Sequence, residues 1–368
     1  MKMKVGIVGA GAVAMGYAAL LLTNGHLPCI WSPSGSRSVA LREGSPLKVT
    51  GVIEGEFYPE ACDTVEELAE HQVIVLALPA YGHRSVLDRL LPYLKPHHIV
   101  IISAHLSFAA LYLSKKLAER AIEIPIAVWN TTVLTSKAQA PTEIKVGAIR
   151  SRIDLATVPD TYVAQAYETC VALFGDRFVV SDDILTATLS NTNPEIHLGI
   201  VLCNLTRVEL REVWGQRSHI TPLVGGFIEA LDRERLSIAT AFGRNVRAIA
   251  DHYTISFGVS GDSIAEIAAN LAKRGKDPLG PTDIRTRYVF EDVPYGLVPT
   301  VALAKLAGVD VPLHRSGVDI LGACYGRDFA AANDLIPELQ LVDVEHLIER
   351  VANGYAQIIR PAGLPKSR

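Results

Sequence analysis

Gly9-Ala10-Gly11-Ala12-Val13-Ala14 follows directly on Lys4 to Val8, which reads as a short buried strand. It leads into Met15 to Thr23, an apolar helix ending near Asn24-Gly25. A G-x-G-x-x-A turn between a strand and a helix is the fingerprint of a dinucleotide-binding βαβ unit, and it restricts the fold more than any other stretch. Each small residue has a task. Gly9 permits a tight turn, Gly11 lets the backbone approach a pyrophosphate, and Ala14 lets helix and strand pack closely. The N–H groups from Gly9 through Gly11, Ala12, Val13 and Ala14 are the candidate phosphate contacts, with the helix dipole behind them. Lys2 and Lys4 before the apolar stretch Val5 to Leu22 superficially resemble a signal peptide. Gly6, Gly9, Gly11 and Gly16 weaken a continuous membrane helix there, so the nucleotide reading is preferred.

The second strand is expected over Leu27 to Trp31. A site that prefers NAD carries an acid at the end of this strand, about 20 residues after the glycines, to bind the ribose 2′-hydroxyl. Here the loop reads Ser32-Pro33-Ser34-Gly35-Ser36-Arg37. Without a carboxylate, nothing repels a 2′-phosphate. Ser32 and Ser34 can donate to it, and Arg37 can pair with it. NADP(H) is therefore expected over NAD(H).

Val73 to Leu78 is a continuous apolar run, as a parallel strand buried on both faces requires. The loop at its carboxyl end begins at Leu78 and Pro79, which are expected to border the nicotinamide side of the cofactor. His83, further along, reads as a surface histidine. Strands are expected at Ile99 to Ile102, Ile124 to Trp129, Ile144 to Ile149, Asp154 to Val158 and Phe178 to Ser181, with helices between. The alternation predicts an α/β Rossmann-type doubly wound domain over residues 1–182. Beyond Asp182–Asp183 helical patterns take over, as in Pro222 to Phe242, and residues 183–368 are expected to form an all-α domain.

Hydrophobic residues at 49% and charged residues at 20% exclude a disordered chain. A net charge of −4 without a basic run argues against nucleic acid or an anionic membrane as partner. The 5 cysteines lack metal-ligand spacing, which predicts neither a disulfide framework nor a metal site and fits a reducing cytoplasm. Apolar faces on the helical half are compatible with a homodimer.

Two segments of that half carry candidate chemistry. In the first, Asn193-Pro194 has the form of a helix start, with Asn193 as cap. Spacings of four and seven then bring Asn193, His197 and Asn204 near one face of an otherwise apolar helix. A polar stripe there must meet a partner, water or a ligand. The second, Thr286 to Pro299, mixes charges and aromatics around a Pro/Gly break.

Together these segments resemble the opine dehydrogenases, the octopine and N-(1-carboxyethyl)-norvaline dehydrogenase type. The resemblance rests on the N-terminal fingerprint, N-x-x-x-H at Asn193 and His197, R-Y-x-x-E-D-V at Arg287 to Val293, and G-L-V-P at Gly296 to Pro299. It implies a Rossmann domain coupled to a helical one. It also implies NAD(P)H-dependent reductive condensation of an amino acid with a 2-oxo acid such as pyruvate, by way of an imine. His197 would be the catalytic histidine and Asp292 its partner, with Glu291 the other available carboxylate. Arg287 would bind a substrate carboxylate, with Asn193 and Asn204 as further substrate contacts. Ser32 departs from relatives that carry Asp. Two other readings stay open. One is a 2-oxo acid reductase of the ketopantoate reductase type, which relies on a lysine where this helix presents His197. The other is a non-catalytic NADP-binding sensor.

Overall fold

The computed structural model describes residues 2–355. Its strands in chain order are β1 (Lys4–Val8), β2 (Leu27–Trp31), β3 (Leu47–Gly51), β4 (Gly55–Phe57), β5 (Glu60–Ala61) and β6 (Val73–Leu76). They continue as β7 (Ile99–Ile102), β8 (Ile126–Trp129), β9 (Leu134–Ala140), β10 (Glu143–Ile149), β11 (Ile153–Val158) and β12 (Phe178–Val180). Packing divides the chain into two compact units. The first runs to Thr188 and resumes at Glu345; the second spans Leu189–Val344.

The first unit is built on a sheet of order β12-β11-β8-β7-β6-β1-β2-β5. Its pairs are parallel except β8 with β11. Every residue of β6, β7 and β8 is buried, which explains their unbroken apolar sequences. Strand order reverses between β1 and β6, and in such sheets ligands bind beyond the carboxyl ends at this switch point. Both loops that leave the switch point carry expected cofactor residues.

The helix after β1 runs Ala12–Thr23, three residues earlier than the apolar pattern suggested, because Gly11 is its cap. It is buried from Ala14 to Leu21, and an all-apolar helix of this kind needs cover on every side. A second sheet supplies it, of order β4-β3-β10-β9. Leu47, Val49, Leu134, Ile144 and Val146 from that sheet share one core with Ala14, Met15 and Ala18. Of the strands expected to follow in the doubly wound domain, Ile144–Ile149 belongs to this second sheet, where it pairs with β3 and β9. β9 is mostly exposed and carries Thr135, Ser136, Lys137 and Gln139, so its sequence looks like a loop.

In the second unit, the Asn193–Cys203 helix sits between two apolar clusters. Ile196 and Ile200 enter one with Trp214, Ile228 and Ile267; Leu198 and Val201 enter the other with Val289, Val293 and Leu321. Gly199 and Gly317 mark the closest approaches. A Cβ on Gly199 would come within 2.4 Å of Ile228, and one on Gly317 within 2.5 Å of Leu198.

The assignment of all residues beyond 182 to the helical domain needs correction. The Val344–Asn353 helix buries Leu347 and Val351, and Tyr355 N–H donates to Ser114 Oγ at 3.1 Å in the first unit. Its contacts return the chain to the Rossmann unit from Glu345 onward. Among the described residues, no helix is long and apolar enough to cross a membrane.

Among the buried histidines of the first unit, His83 and His105 are the most strongly shifted. His105 donates from Nδ1 to Thr188 Oγ1 at 2.8 Å and accepts the Ala110 N–H at Nε2, 3.2 Å, an arrangement that needs the neutral ring. Burial pushes His105 down to about 3 and His83 down to about 4. A histidine with a folded pKa below its unfolded value stabilises the fold above about pH 6.5, and that stability is lost as pH falls toward the folded pKa. Urea unfolding midpoints are therefore expected to fall from pH 7 to pH 4.5, and less steeply in His105→Gln. Parallel profiles for the two proteins would remove His105 from the acid response.

Candidate active site

The helix that carries His197 begins at Asn193, with Thr192 rather than Asn193 in the cap position. The Asn191 side-chain oxygen accepts the Asn193 N–H at 3.2 Å. Pro194 takes the first turn, where its missing N–H costs nothing. Asn193 is half-buried one turn before His197. Asn204 lies beyond the other end, about 10 Å along the axis from His197 at 1.5 Å per residue. Its Nδ2 donates to the Ile200 carbonyl at 2.9 Å, so the side chain closes the helix instead of facing His197.

His197 Nδ1 donates to Asp292 Oδ2 at 2.7 Å across 95 residues of sequence, and both side chains are buried. Of the two adjacent carboxylates, the chain therefore brings Asp292 to the imidazole. Local geometry explains the choice. The short Arg287–Phe290 helix ends at Glu291, and Val293–Leu297 widens into a π-helical turn whose start is Asp292. Such turns recur at functional sites because they re-aim one side chain. Sequence reasoning missed Tyr288. Its ring stacks on His197 with centroids 3.5 Å apart and planes within 8°, and its hydroxyl donates to Gln216 Oε1 at 3.0 Å. An aromatic directly after the arginine was the available signal. The Arg287 side chain is 56% exposed, and its Nη1 stands 3.9 Å from Glu291 Oε2, too long for a hydrogen bond.

Burial lowers the His197 pKa; Asp292 opposes this through charge and hydrogen bond, Arg287 reinforces it, and the net direction is down. The resting ring is neutral, with its proton on Nδ1 and a lone pair on Nε2. Two residues earlier on the same helix, Glu195 accepts from His314 Nε2 at 3.4 Å, and Glu234 accepts from His314 Nδ1 at 2.7 Å. Burial disfavours the charged form of His314, but these carboxylates outweigh it and raise its pKa. The two histidines are thus shifted in opposite directions, and His314 is hydrogen-bonded to the buried Glu195 two residues before His197.

The first unit carries the expected nucleotide residues. Gly9 has φ +117°, and a Cβ there would lie 2.5 Å from the Ala77 carbonyl and 3.4 Å from Leu78 Cβ. The glycine turn and the Leu78-Pro79 loop therefore meet at the switch point. A Cβ on Gly11 would meet nothing within 4 Å, and no side chain caps the helix that starts at Ala12 and Val13. That open helix end fits a diphosphate. Ala14 is fully buried in the core. Ser32 Oγ lies 3.3 Å from Ser34 Oγ, which lies 3.1 Å from Ser36 Oγ, and Arg37 is exposed beside them. Arg89, absent from the sequence reasoning, covers the Trp31 ring at 4.5 Å and donates to the Pro33 carbonyl at 3.2 Å. His83 is buried rather than on the surface, and its Nε2 donates to the Leu78 carbonyl at 3.1 Å.

Comparison with known proteins agrees with both halves. Residues 180–325 match the NAD/NADP octopine/nopaline dehydrogenase alpha-helical domain, and residues 5–104 match ketopantoate reductase PanE/ApbA. The opine dehydrogenase of Arthrobacter sp. (strain 1C) is 28% identical over 341 residues, 91% of this chain and 94% of the relative. Two solved structures share the fold. Octopine dehydrogenase with NADH and L-arginine has a TM-score of 0.78 at 16% identity, covering 95% of this chain and 98% of that one. Yersinopine dehydrogenase with NADP+ has a TM-score of 0.69 at 14% identity, covering 97% and 99%. With the helical-domain match lying over His197 and Asp292 and the relative spanning both units, the chain carries an octopine/nopaline dehydrogenase alpha-helical domain and is similar to opine dehydrogenases over nearly its whole length.

Proposed function

We propose that this chain condenses the amino group of an amino acid with a 2-oxo acid such as pyruvate and reduces the resulting imine, with NADPH preferred over NADH. The observation that carries this reading is the 2.7 Å hydrogen bond from His197 Nδ1 to Asp292, inside the segment matched to the octopine/nopaline dehydrogenase helical domain. Asp292 fixes the tautomer and leaves the Nε2 lone pair for chemistry. The amino acid arrives as an ammonium ion and must lose a proton before its nitrogen attacks the oxo carbon. His197, neutral at rest, takes that proton. It returns a proton to the carbinolamine hydroxyl, which leaves as water when the imine forms. Stacking on Tyr288 keeps the ring in one plane through both transfers. The guanidinium of Arg287 holds a substrate carboxylate bidentately and fixes the face of the imine, with Asn193 one turn from His197 as a further polar contact. Reduced nicotinamide, when bound, supplies the hydride to the imine carbon.

The serine hydroxyls at Ser32 and Ser34, with Arg37 and Arg89 around the same loop, support a 2′-phosphate site. Asn204 has no part in this reading, since its amide is used at the helix end. The match of residues 5–104 to ketopantoate reductase favours a second reading, reduction of a 2-oxo acid alone.

One assay decides between them. NADPH oxidation is followed with a panel of 2-oxo acids alone, amino acids alone, and both together. Turnover only with both is expected; full turnover with an oxo acid alone would establish the simple reductase. His197→Ala is expected to lower kcat about 10²- to 10⁴-fold with folding intact. Arg287→Lys is expected mainly to raise KM, about tenfold or more, because a point charge cannot replace the fork. Near-normal kcat in His197→Ala would end the assignment. Ser32→Asp is expected to shift the preference from NADPH toward NADH, read as the ratio of the two kcat/KM values. A wild-type enzyme that already favours NADH would refute the cofactor reading and leave the condensation reading standing.

A further inference from the structure

The cysteine spacing hides a cluster that the fold assembles. β2 and β5 pair in parallel with Cys29 opposite Glu60, and Cys62 extends the ladder by donating its N–H to the Ile30 carbonyl at 3.0 Å. Paired residues, and residues two apart on a strand, share a face. Cys29, Glu60 and Cys62 therefore project to one side of the sheet edge. His71 reaches that side from the turn after the Val65–Leu68 helix. One ligand atom each from Cys29, Glu60 and His71 lies within 4.8 Å of the others. With Cys62 and Arg42 they line a cavity of about 450 Å³.

The histidine is prepared for ligation. Its Nδ1–H donates to the Leu68 carbonyl at 3.0 Å, which leaves the lone pair on Nε2, and metal-binding histidines are commonly oriented by such a bond. Cys62 lies beside the cluster, its thiol donating to the Ile30 carbonyl at 3.9 Å. Arg42, the nearby cation, is paired with Asp63.

We propose that Cys29 Sγ, the Glu60 carboxylate and His71 Nε2 bind a zinc-class divalent cation, with solvent as the fourth donor. One sulfur, one nitrogen and one carboxylate oxygen form a donor set that suits tetrahedral zinc with one solvent position. A disulfide fits less well. The ladder spacing puts the Cys29 and Cys62 Cα atoms about 8 Å apart, beyond the usual limit of about 6.8 Å. On coordination the Cys29 thiol proton passes to solvent and the thiolate binds the cation, with no change of oxidation state. The cation joins the two-residue edge strand β5 and the His71 turn to β2, which leads into Ser32.

The test uses the full chain, stripped with a chelator and titrated with Co²⁺ and Zn²⁺. The expected result is one Co²⁺ per chain with a thiolate-to-cobalt charge-transfer band that Zn²⁺ abolishes. Zn²⁺ at a hundredfold excess over Kd is expected to raise Tm by at least about 3 °C. Cys29→Ser and His71→Gln are each expected to weaken Zn²⁺ binding about 100-fold or more. Absence of the charge-transfer band in the wild-type chain overturns the proposal without reference to any variant. So does Zn²⁺ affinity that both substitutions leave unchanged.

Discussion

A carboxylate removed from water must be compensated, and for Asp292 the partner is the Nδ1–H of His197. Much of the helical unit follows from that constraint. The helix bearing His197 has to run through the interior, so it is apolar on its remaining faces and feeds two clusters at once. The chain before Asp292 has to be short and the turn after it wide, so that this residue and not Glu291 reaches the ring. Glu195, which shares the helix, would add a second uncompensated charge. The His314 imidazole meets it instead, and Glu234 meets His314 from the other side. Two histidines of this unit are thereby shifted in opposite directions by their surroundings alone.

The first unit rests on a different constraint, close approach of backbones. Gly9 lies against the Ala77 carbonyl with a positive φ that L side chains rarely adopt. That contact joins the loop after β1 to the loop after β6, where strand order reverses. The helix that follows is buried all round because a second sheet closes over it. Its apolar sequence, which superficially resembles a leader segment, is thus explained by packing.

The strongest features were legible in the residues themselves. The glycine turn is local, and β6, β7 and β8 are unbroken apolar runs, so these strands and the β1 and β2 that flank the turn and helix could be read directly. Pairing of His197 with Asp292 was legible only through motif resemblance, since no periodicity links positions 95 residues apart. The second sheet was hidden because β4 and β9 are short or largely exposed, and exposed strands of polar residues read as loops. Arg89 and Tyr288 escaped for a related reason: their partners, Trp31 and His197, lie far away in sequence. The cysteine-bearing edge strand was equally invisible, because metal-ligand spacing is diagnostic only when the ligands are near neighbours along the chain.

The return of the chain at Glu345 to the unit it left at Thr188 makes the helical unit an insertion. That fixes an order on biosynthesis. The segment Leu189–Val344 is contiguous and is complete once it clears the ribosome. The nucleotide-binding unit, although its fingerprint is made first, lacks Leu347, Val351 and the Tyr355 contact until the whole helical unit has been made. The half that emerges first is therefore the half that matures last.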